Sequence, residues 1–274
     1  MNEFKDKYGE EYIGIYKSPY DGRDYILNEL IPKGSISIPD NYETSRAPFV
    51  YDQGNSSECA ACAYNMIRYL QESDTDNGGS GITEKFSPSF TYGNRIPGED
   101  FEGMYLRSVC KKGREGSIPW SQFPGFHTYS KCKMIVNNNK KRWEEMAYPF
   151  RISSFYQCIT REQVQQAIIE SKAVLTGINV LECIYTVDSD GIVYYDPNRD
   201  YKSYGGHAII LTGWNTLKDG SIRWIACNSW GEGYGDRGYF YIPENFPWIE
   251  SPWAILDYNI ETKWSEYITK YNIQ

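Results

Sequence analysis

Two strand-like segments joined by a turn-rich loop constrain the fold of this chain most tightly. Residues 207–214 and 222–227 are largely apolar, and residues 215–221 between them carry Asn, Asp, Gly and Ser. This pattern predicts an antiparallel hairpin. Folding it about Lys218 brings His207 opposite Asn228 and Ser229, and opposed side chains on one face lie roughly 5 Å apart at Cβ. The hairpin therefore predicts a contact between an imidazole and an amide.

A second element places a cysteine at the start of a helix. From Cys59 to Leu70, apolar residues recur at intervals of three and four, which predicts one stripe of an amphipathic helix. Ser56 or Ser57 is expected to cap its start. Cys59 then lies in the first turn, where backbone N–H groups and the helix dipole favour an anion.

The thiol and the imidazole together suggest nucleophilic catalysis. The thiolate is the reactive species, and both a helix N-terminus and a neighbouring imidazolium favour it. Of the two histidines, His127 lies in a loop without a polar partner in register. His207 faces Asn228, whose side-chain oxygen can hold one ring nitrogen and direct the other toward the thiol. Spacing alone leaves this arrangement a suggestion.

Composition excludes several classes of partner. A net charge of −8 argues against nucleic acid, because phosphate binding needs a basic face. A membrane-spanning helix needs about eighteen apolar residues in a row, and no apolar stretch of the sequence approaches this length. Residues 1–12 lack the apolar core of a secretory signal. Seven cysteines, an odd number, form no dense disulfide framework. We expect no nucleic-acid or membrane partner, and an intracellular or virion-associated location rather than a secreted one.

Three further motifs are better explained by structure than by chemistry. Cys59 and Cys62 form a Cys-x-x-Cys pair, but no strand precedes it as in a thioredoxin-like site, so a buried Cys62 is favoured over a redox or metal site. Residues 233–238 match Gly-x-Gly-x-x-Gly but lead into a strand instead of a helix. Residues 188–191 lack the glutamate of a calcium loop. We expect no cofactor and no metal.

Three segments resemble the papain family of cysteine peptidases. They are YDQGNSSEC at residues 51–59, GHA at residues 206–208 and NSWGEGYGDRGY at residues 228–239. Their order and spacing are compatible with that family, and the resemblance spans roughly residues 37–245. It is closest to the bacterial, archaeal and viral-type members with Tyr-Asp-Gln-Gly before the nucleophile.

The resemblance implies a role for each matching residue. Cys59 would attack the scissile carbonyl and become acylated, and His207 would pair with the thiolate and later protonate the leaving amine. Asn228 would orient His207, and Trp230 would shield that hydrogen bond from water. Gln53 would donate its side-chain N–H to the oxyanion. The function implied is hydrolysis of peptide bonds in a polypeptide substrate.

The same resemblance implies the architecture. The fold would be α+β with two domains, a helical domain at residues 37–148 carrying the nucleophile and a β-barrel-like domain at residues 149–274 carrying His207 and Asn228. The active site would lie in the cleft between them. Residues 1–36 resemble a propeptide-like or occluding segment and are expected to act as an intramolecular inhibitor, as in a zymogen.

Some positions depart from the family pattern. Ser56 stands where many secreted relatives have a cysteine, so one disulfide is missing. Ala60 follows the nucleophile in place of tryptophan, and Glu58 precedes it, a carboxylate that we expect to face solvent. Gly103 and Gly206 are the candidate substrate-binding residues.

Two other functions remain open from the sequence. The chain could be a binding protein on the same fold that has lost catalysis, or a thiol acyltransferase that passes the acyl group to another acceptor. The presence of Cys59, His207, Asn228 and Gln53 together argues for an active peptidase.

Overall fold

The computed structural model describes residues 14–22, 24, 36–257 and 264–273. Its strands in chain order are β1 (Ile15–Tyr16), β2 (Asn41–Glu43), β3 (Met104–Tyr105), β4 (Ile152–Gln157), β5 (Val174–Leu181), β6 (Ser203–Thr216), β7 (Ile222–Cys227), β8 (Tyr239–Pro243) and β9 (Trp248–Asp257). Its α-helices are α1 (Cys59–Glu72), α2 (Pro88–Gly93), α3 (Leu106–Gly113), α4 (Tyr129–Asn138), α5 (Lys140–Ala147), α6 (Arg161–Ser171), α7 (Glu182–Tyr185) and α8 (Trp264–Tyr271).

A seven-stranded antiparallel sheet organises the second half of the chain. Its strand order is β4-β9-β5-β6-β7-β8, and β2 pairs with β6 beside this path. No hydrogen bonds join the end strands β4 and β8 within the described residues, so the sheet predicted to be barrel-like does not close into a barrel. The α+β class is confirmed.

Helices cover both faces of the sheet. Alternate residues of a strand point to opposite faces, and in β6 Ala208 and Ile210 pack with α1 in one core cluster. Ile209 and Leu211 pack with α6 in a second cluster. The strands are therefore buried on both sides, which explains the unbroken apolar run at residues 208–211.

Helix α1 is more deeply buried than its sequence pattern suggests. All of its fourteen residues are buried, including polar ones on the side opposite the apolar stripe. Arg68 forms ion pairs with Glu72 and, at 2.8 Å, with Asp257 at the end of β9. The helix thus runs through the interior of the molecule, and a buried ionic network fixes its C-terminal end to the sheet.

The proposed division at residue 148 separates most helices from most strands. Helices α1 to α5 precede it and strands β4 to β9 follow it. Two elements cross the division: β2 pairs with β6, and on α8 the Tyr267 hydroxyl donates to the Met146 carbonyl at 2.8 Å. The domain boundaries therefore remain a proposal.

Candidate active site

Cys59 is the first residue of α1 and is 0% exposed. The predicted helix start is confirmed, but the predicted serine cap is wrong: Glu58 is the N-cap residue, and no side chain bonds to the helix end. Cys59 belongs to the same buried cluster as Ala208, the neighbour of His207. The packing of α1 against β6 therefore brings the thiol-bearing helix start to the strand that carries the imidazole.

His207 and Asn228 form the predicted contact, although by a different register. His207 Nε2 lies 2.7 Å from Asn228 Oδ1, and both side chains are buried. In the hairpin, Ile210 pairs with Cys227, and an irregularity between Leu211 and Gly213 shifts the ladder. Continuing this register places residue 230, not 228, opposite His207. The pairing of Thr216 with Ile222 centres the loop on Asp219 instead of Lys218, and this offset is the source of the register error.

The hydrogen bonds of Asn228 define the tautomer of His207. The Ser229 backbone N–H donates to Asn228 Oδ1 at 2.8 Å, so the atom that faces the ring is an oxygen. Because an amide oxygen only accepts, His207 Nε2 must carry the proton. Nδ1 is therefore the nitrogen available to a thiol. Burial lowers the pKa of His207 to about 4, and the bond to Asn228 opposes this shift.

Trp230 covers this pair. Its ring centroid lies 4.9 Å from that of His207, and its other face stacks on Tyr185 at 5.3 Å. Shielding of the imidazole from water by this indole stays a prediction; it would strengthen the bond to Asn228, because hydrogen bonds are stronger where the local dielectric is low.

Gln53 is held between the two halves of the site. Its backbone N–H donates to the Ser229 carbonyl at 2.9 Å, and its side-chain oxygen accepts from the Ser229 hydroxyl at 2.5 Å. Its Nε2 donates to the Ser56 carbonyl at 2.6 Å. An amide nitrogen carries two protons, so this bond uses one of them. These bonds connect Gln53 to the loop before Cys59 through Ser56, and to the residue after Asn228 through Ser229.

Glu58 is buried, and the expectation that it faces solvent is wrong. It is 0% exposed, and its carboxyl contacts the Ser89 hydroxyl at 2.9 Å and accepts from the His127 backbone N–H at 2.8 Å. Burial raises its pKa to about 8, and these two donors only partly offset the rise. Ser89 and His127 come from distant parts of the chain, which is why local sequence gave no signal for this burial.

An extended N-terminal segment lies beside the histidine. Strand β1 runs parallel to β3, and the Met104 N–H donates to the Gly14 carbonyl at 3.2 Å. Ile15 is 6% exposed. A Cβ at Gly177 would come within 2.2 Å of the Ile15 side chain, and one at Gly206 within 2.4 Å of its carbonyl oxygen. Glycine at both positions leaves the room that the segment occupies.

The two candidate substrate-binding glycines have different surroundings. Gly206 contacts the N-terminal segment directly and precedes His207. Gly103 comes immediately before β3, but its N–H donates to the Tyr92 hydroxyl at 3.1 Å. Met104, which the sequence did not single out, is the residue that donates to the extended segment.

The other cysteines are interior residues. All seven cysteines are buried and none is in a disulfide, and burial raises the pKa of the Cys62 thiol well above its usual range. This confirms Cys62 as a buried apolar residue. No group of three or more metal-ligating side chains occurs among the described residues.

Comparisons with known proteins bear directly on this site. A sequence model described as papain family cysteine protease matches residues 104–250, more than half of the chain. The chain belongs to the papain family. Among curated relatives of this papain-family chain, cathepsin L-like proteinase of Fasciola hepatica is 23% identical over 89% of the chain and 73% of its own length. Cathepsin S of Bos taurus is 28% identical over 89% of the chain and 72% of its own length.

Solved structures agree in fold with this papain-family chain. Xylellain, a cysteine protease from Xylella fastidiosa, has a TM-score of 0.77 at 19% identity and covers 94% of this chain and 98% of its own. Procathepsin B S9 from Trypanosoma congolense has a TM-score of 0.68 at 15% identity and covers 90% of this chain and 86% of its own. The fold is thus the α+β two-domain papain fold. The family match and the cathepsin relatives show that the chain is a cysteine peptidase, a hydrolase.

The location of the papain-family chain stays a prediction. None of the helices in the described ranges combines the length and apolar character needed to traverse a bilayer. The cathepsin relatives lend no support to the expected intracellular or virion-associated location.

Proposed function

We propose that this chain hydrolyses peptide bonds with Cys59 as nucleophile, His207 as proton-transfer group and Asn228 as the residue that orients His207. The 2.7 Å bond between His207 Nε2 and Asn228 Oδ1 carries the proposal, because it leaves Nδ1 for the thiol. The Cys59 thiol gives its proton to Nδ1, and the thiolate attacks the scissile carbonyl carbon. As the C–N bond breaks, the imidazolium protonates the leaving amine. Water then cleaves the thioester and restores the thiol.

Gln53 and the start of α1 are proposed to stabilise the oxyanion. The Nε2 proton of Gln53 that is not directed at Ser56 and the backbone N–H of Cys59 are the two donors. First-turn N–H groups have no carbonyl partner within their own helix. Donors fixed before the reaction stabilise the developing charge without reorganisation. The bonds between Gln53 and Ser229 supply this fixation.

The N-terminal segment is proposed to act as an intramolecular inhibitor that occupies the substrate cleft. Ile15 fills the space left by Gly177 and Gly206, next to His207, and its backbone pairs with Met104–Tyr105 as a peptide substrate would. Ion pairs fix the segment further along, where Asp21 and Asp24 contact Arg107 of α3. Neighbours in fold include procathepsins B and L, whose names denote proforms. Residues 1–13, 23 and 25–35 lie outside the described residues.

The proposed substrate is a polypeptide in extended conformation with an aliphatic side chain at the position of Ile15. The edge of β3 supplies backbone hydrogen bonds, and the apolar space beside Gly177 supplies a side-chain pocket. Main-chain pairing gives affinity and the pocket gives selectivity.

Labelling and cleavage test this assignment together. An epoxide that alkylates thiols is expected to modify Cys59 alone, because only this thiol has the proposed imidazole partner that removes its proton, and to abolish peptide cleavage. Cys59→Ala should be inactive, Cys62→Ser should keep activity, and Asn228→Ala should lower kcat by about 10²-fold or more. Full cleavage by Cys59→Ala would overturn the assignment. Labelling of Cys59 without cleavage of any peptide would favour acyl transfer.

Removal of the N-terminal segment tests the inhibitory role. A chain that starts at residue 37 is expected to turn over a small peptide substrate faster than the full chain. Unchanged or lower activity in a truncated protein that is still folded would contradict the proposed inhibition.

A further inference from the structure

Glu58 is a buried ionisable group that the proposed reaction does not use. It stands one residue before Cys59 and is 0% exposed. A buried carboxyl next to a thiolate nucleophile is unfavourable when ionised, since like charges destabilise each other at close range. Its hydrogen bonds explain how the fold accommodates it.

Ser89 contacts more oxygen atoms than its single proton can serve. Its Oγ lies 2.9 Å from Oε1 and from Oε2 of Glu58, and also 2.9 Å from the Gly125 carbonyl. A hydroxyl donates one proton. If Glu58 is a neutral acid, it donates to Ser89, and Ser89 donates to Gly125, so every partner is satisfied. If Glu58 is ionised, Ser89 turns to the carboxylate and the Gly125 carbonyl loses its donor.

The loop attached in this way forms one wall of a cleft. A cleft of about 380 Å³ is lined by Gln53 and residues 55–57, which precede Glu58, by Glu102, and by residues 126–128. Glu58 also holds this loop through the His127 backbone N–H at 2.8 Å. The carboxyl therefore links the start of α1 to the loop at residues 126–128, and both line the cleft.

We propose that Glu58 is a positioning residue that supports cleavage as a neutral acid. In this form it holds residues 125–127 through Ser89 and leaves the Cys59 thiolate unopposed. On ionisation its proton leaves to solvent, the link from Ser89 to Gly125 breaks, and a buried negative charge remains beside Cys59. The inference rests on the proposed role of Cys59 as nucleophile.

The other groups that face the carboxyl do not replace it in this role. Arg95, which follows α2, and Glu102, which precedes β3, act on its pKa in opposite directions. The Cys132 thiol of α4 has a pKa raised to about 12 by burial, so it stays neutral where Glu58 titrates. On α1 itself the neighbouring groups are the thiols of Cys59 and Cys62. Burial raises the pKa of Glu58 to about 8, within the range where the enzyme can be assayed.

The ratio of kcat/KM between Glu58→Gln and wild type, measured as a function of pH, tests the proposal. Glutamine reproduces the neutral acid, because its amide donates toward Ser89 and its oxygen accepts from His127. All other groups titrate in both proteins, so the ratio isolates Glu58. We expect a constant ratio below about pH 8 and a rise of about tenfold per pH unit above it. Glu145→Gln, an exposed site on α5, should give a constant ratio throughout.

Two further measurements keep the test decisive if Glu58→Gln folds poorly. Ser89→Ala removes both the acceptor of the neutral acid and the donor to the carboxylate, so the alkaline transition should move away from its wild-type pH. Infrared spectra should contain a protonated carboxyl band that titrates near the same pH in wild type. A flat ratio for Glu58→Gln, or an unmoved transition in Ser89→Ala without a titrating carboxyl band, would overturn the proposal. Failure of Cys59 to react with the epoxide both in wild type and in a folded chain that starts at residue 37 would instead overturn the proposed function.

Discussion

Ile15→Ala is expected to release the proposed inhibition by the N-terminal segment without unfolding the enzyme. Ile15 is 6% exposed, and its side chain fills the space next to Gly177 and Gly206. The substitution deletes three carbons, and each buried methylene contributes about 0.8 kcal/mol, so the segment should lose about 2.4 kcal/mol of binding. This corresponds to binding of the segment in the cleft that is about 50-fold weaker.

Initial rates on a short fluorogenic peptide measure this effect in the uncleaved full chain. The rate of Ile15→Ala should exceed that of wild type by up to about 50-fold, with the gain limited by the fraction already open. Tyr20→Ala is the matched control, because Tyr20 belongs to the same segment but is 96% exposed. A peptide of residues 14–22 should inhibit the truncated enzyme, and its Ile15→Ala form should inhibit it about 50-fold less. Equal rates for wild type and Ile15→Ala, both folded, would refute this account of the cleft.

Three further predictions concern the interior. Between the ordinary pKa of 4.5 and about 8, the folded chain keeps a proton on Glu58 that the unfolded chain releases. The free energy of unfolding should therefore fall by about 1.4 kcal/mol per pH unit in that window, and Glu58→Gln should lack this slope in denaturant titrations. Arg68→Met leaves Glu72 buried without its partner and should cost about 3–5 kcal/mol by the same titrations; a loss below about 1 kcal/mol would contradict the buried network. Trp230→Ala admits water to the bond between His207 and Asn228 and should lower kcat by about tenfold or more; unchanged kcat would exclude shielding.

Sequence reasoning succeeded where local pattern and chemistry agree. The start of α1 at Cys59 follows from apolar periodicity, and the pairing of His207 with Asn228 follows from the hairpin. The exact register did not follow, because the loop is centred on Asp219 instead of Lys218, and the apolar pattern does not indicate this offset.

The parts that sequence reasoning missed depend on distant segments. From the sequence alone, Glu58 is expected at the surface. The fold brings Ser89 and His127 to it, and these two residues are 31 and 69 positions away along the chain. From the sequence alone, Ile15 belongs to a polar N-terminal segment. The fold places it where Gly177 and Gly206, which lack side chains, leave room for it. From the sequence alone, the polar residues of α1 are expected to face solvent, but Arg68 forms an ion pair with Asp257 near the far end of the chain. Such contacts are properties of the assembled fold.

The complete burial of α1 has a consequence for the order of assembly during synthesis. The helix leaves the ribosome early, but β5, the first of the strands that enclose it, begins 102 residues after its end, and the Asp257 partner of Arg68 is made 189 residues after Arg68. A short isolated helix is marginal in water, so the first turn that orients Cys59 cannot persist before then. The proposed nucleophile is therefore expected to acquire its geometry only after these strands are made, when the proposed inhibitory segment is already part of the chain.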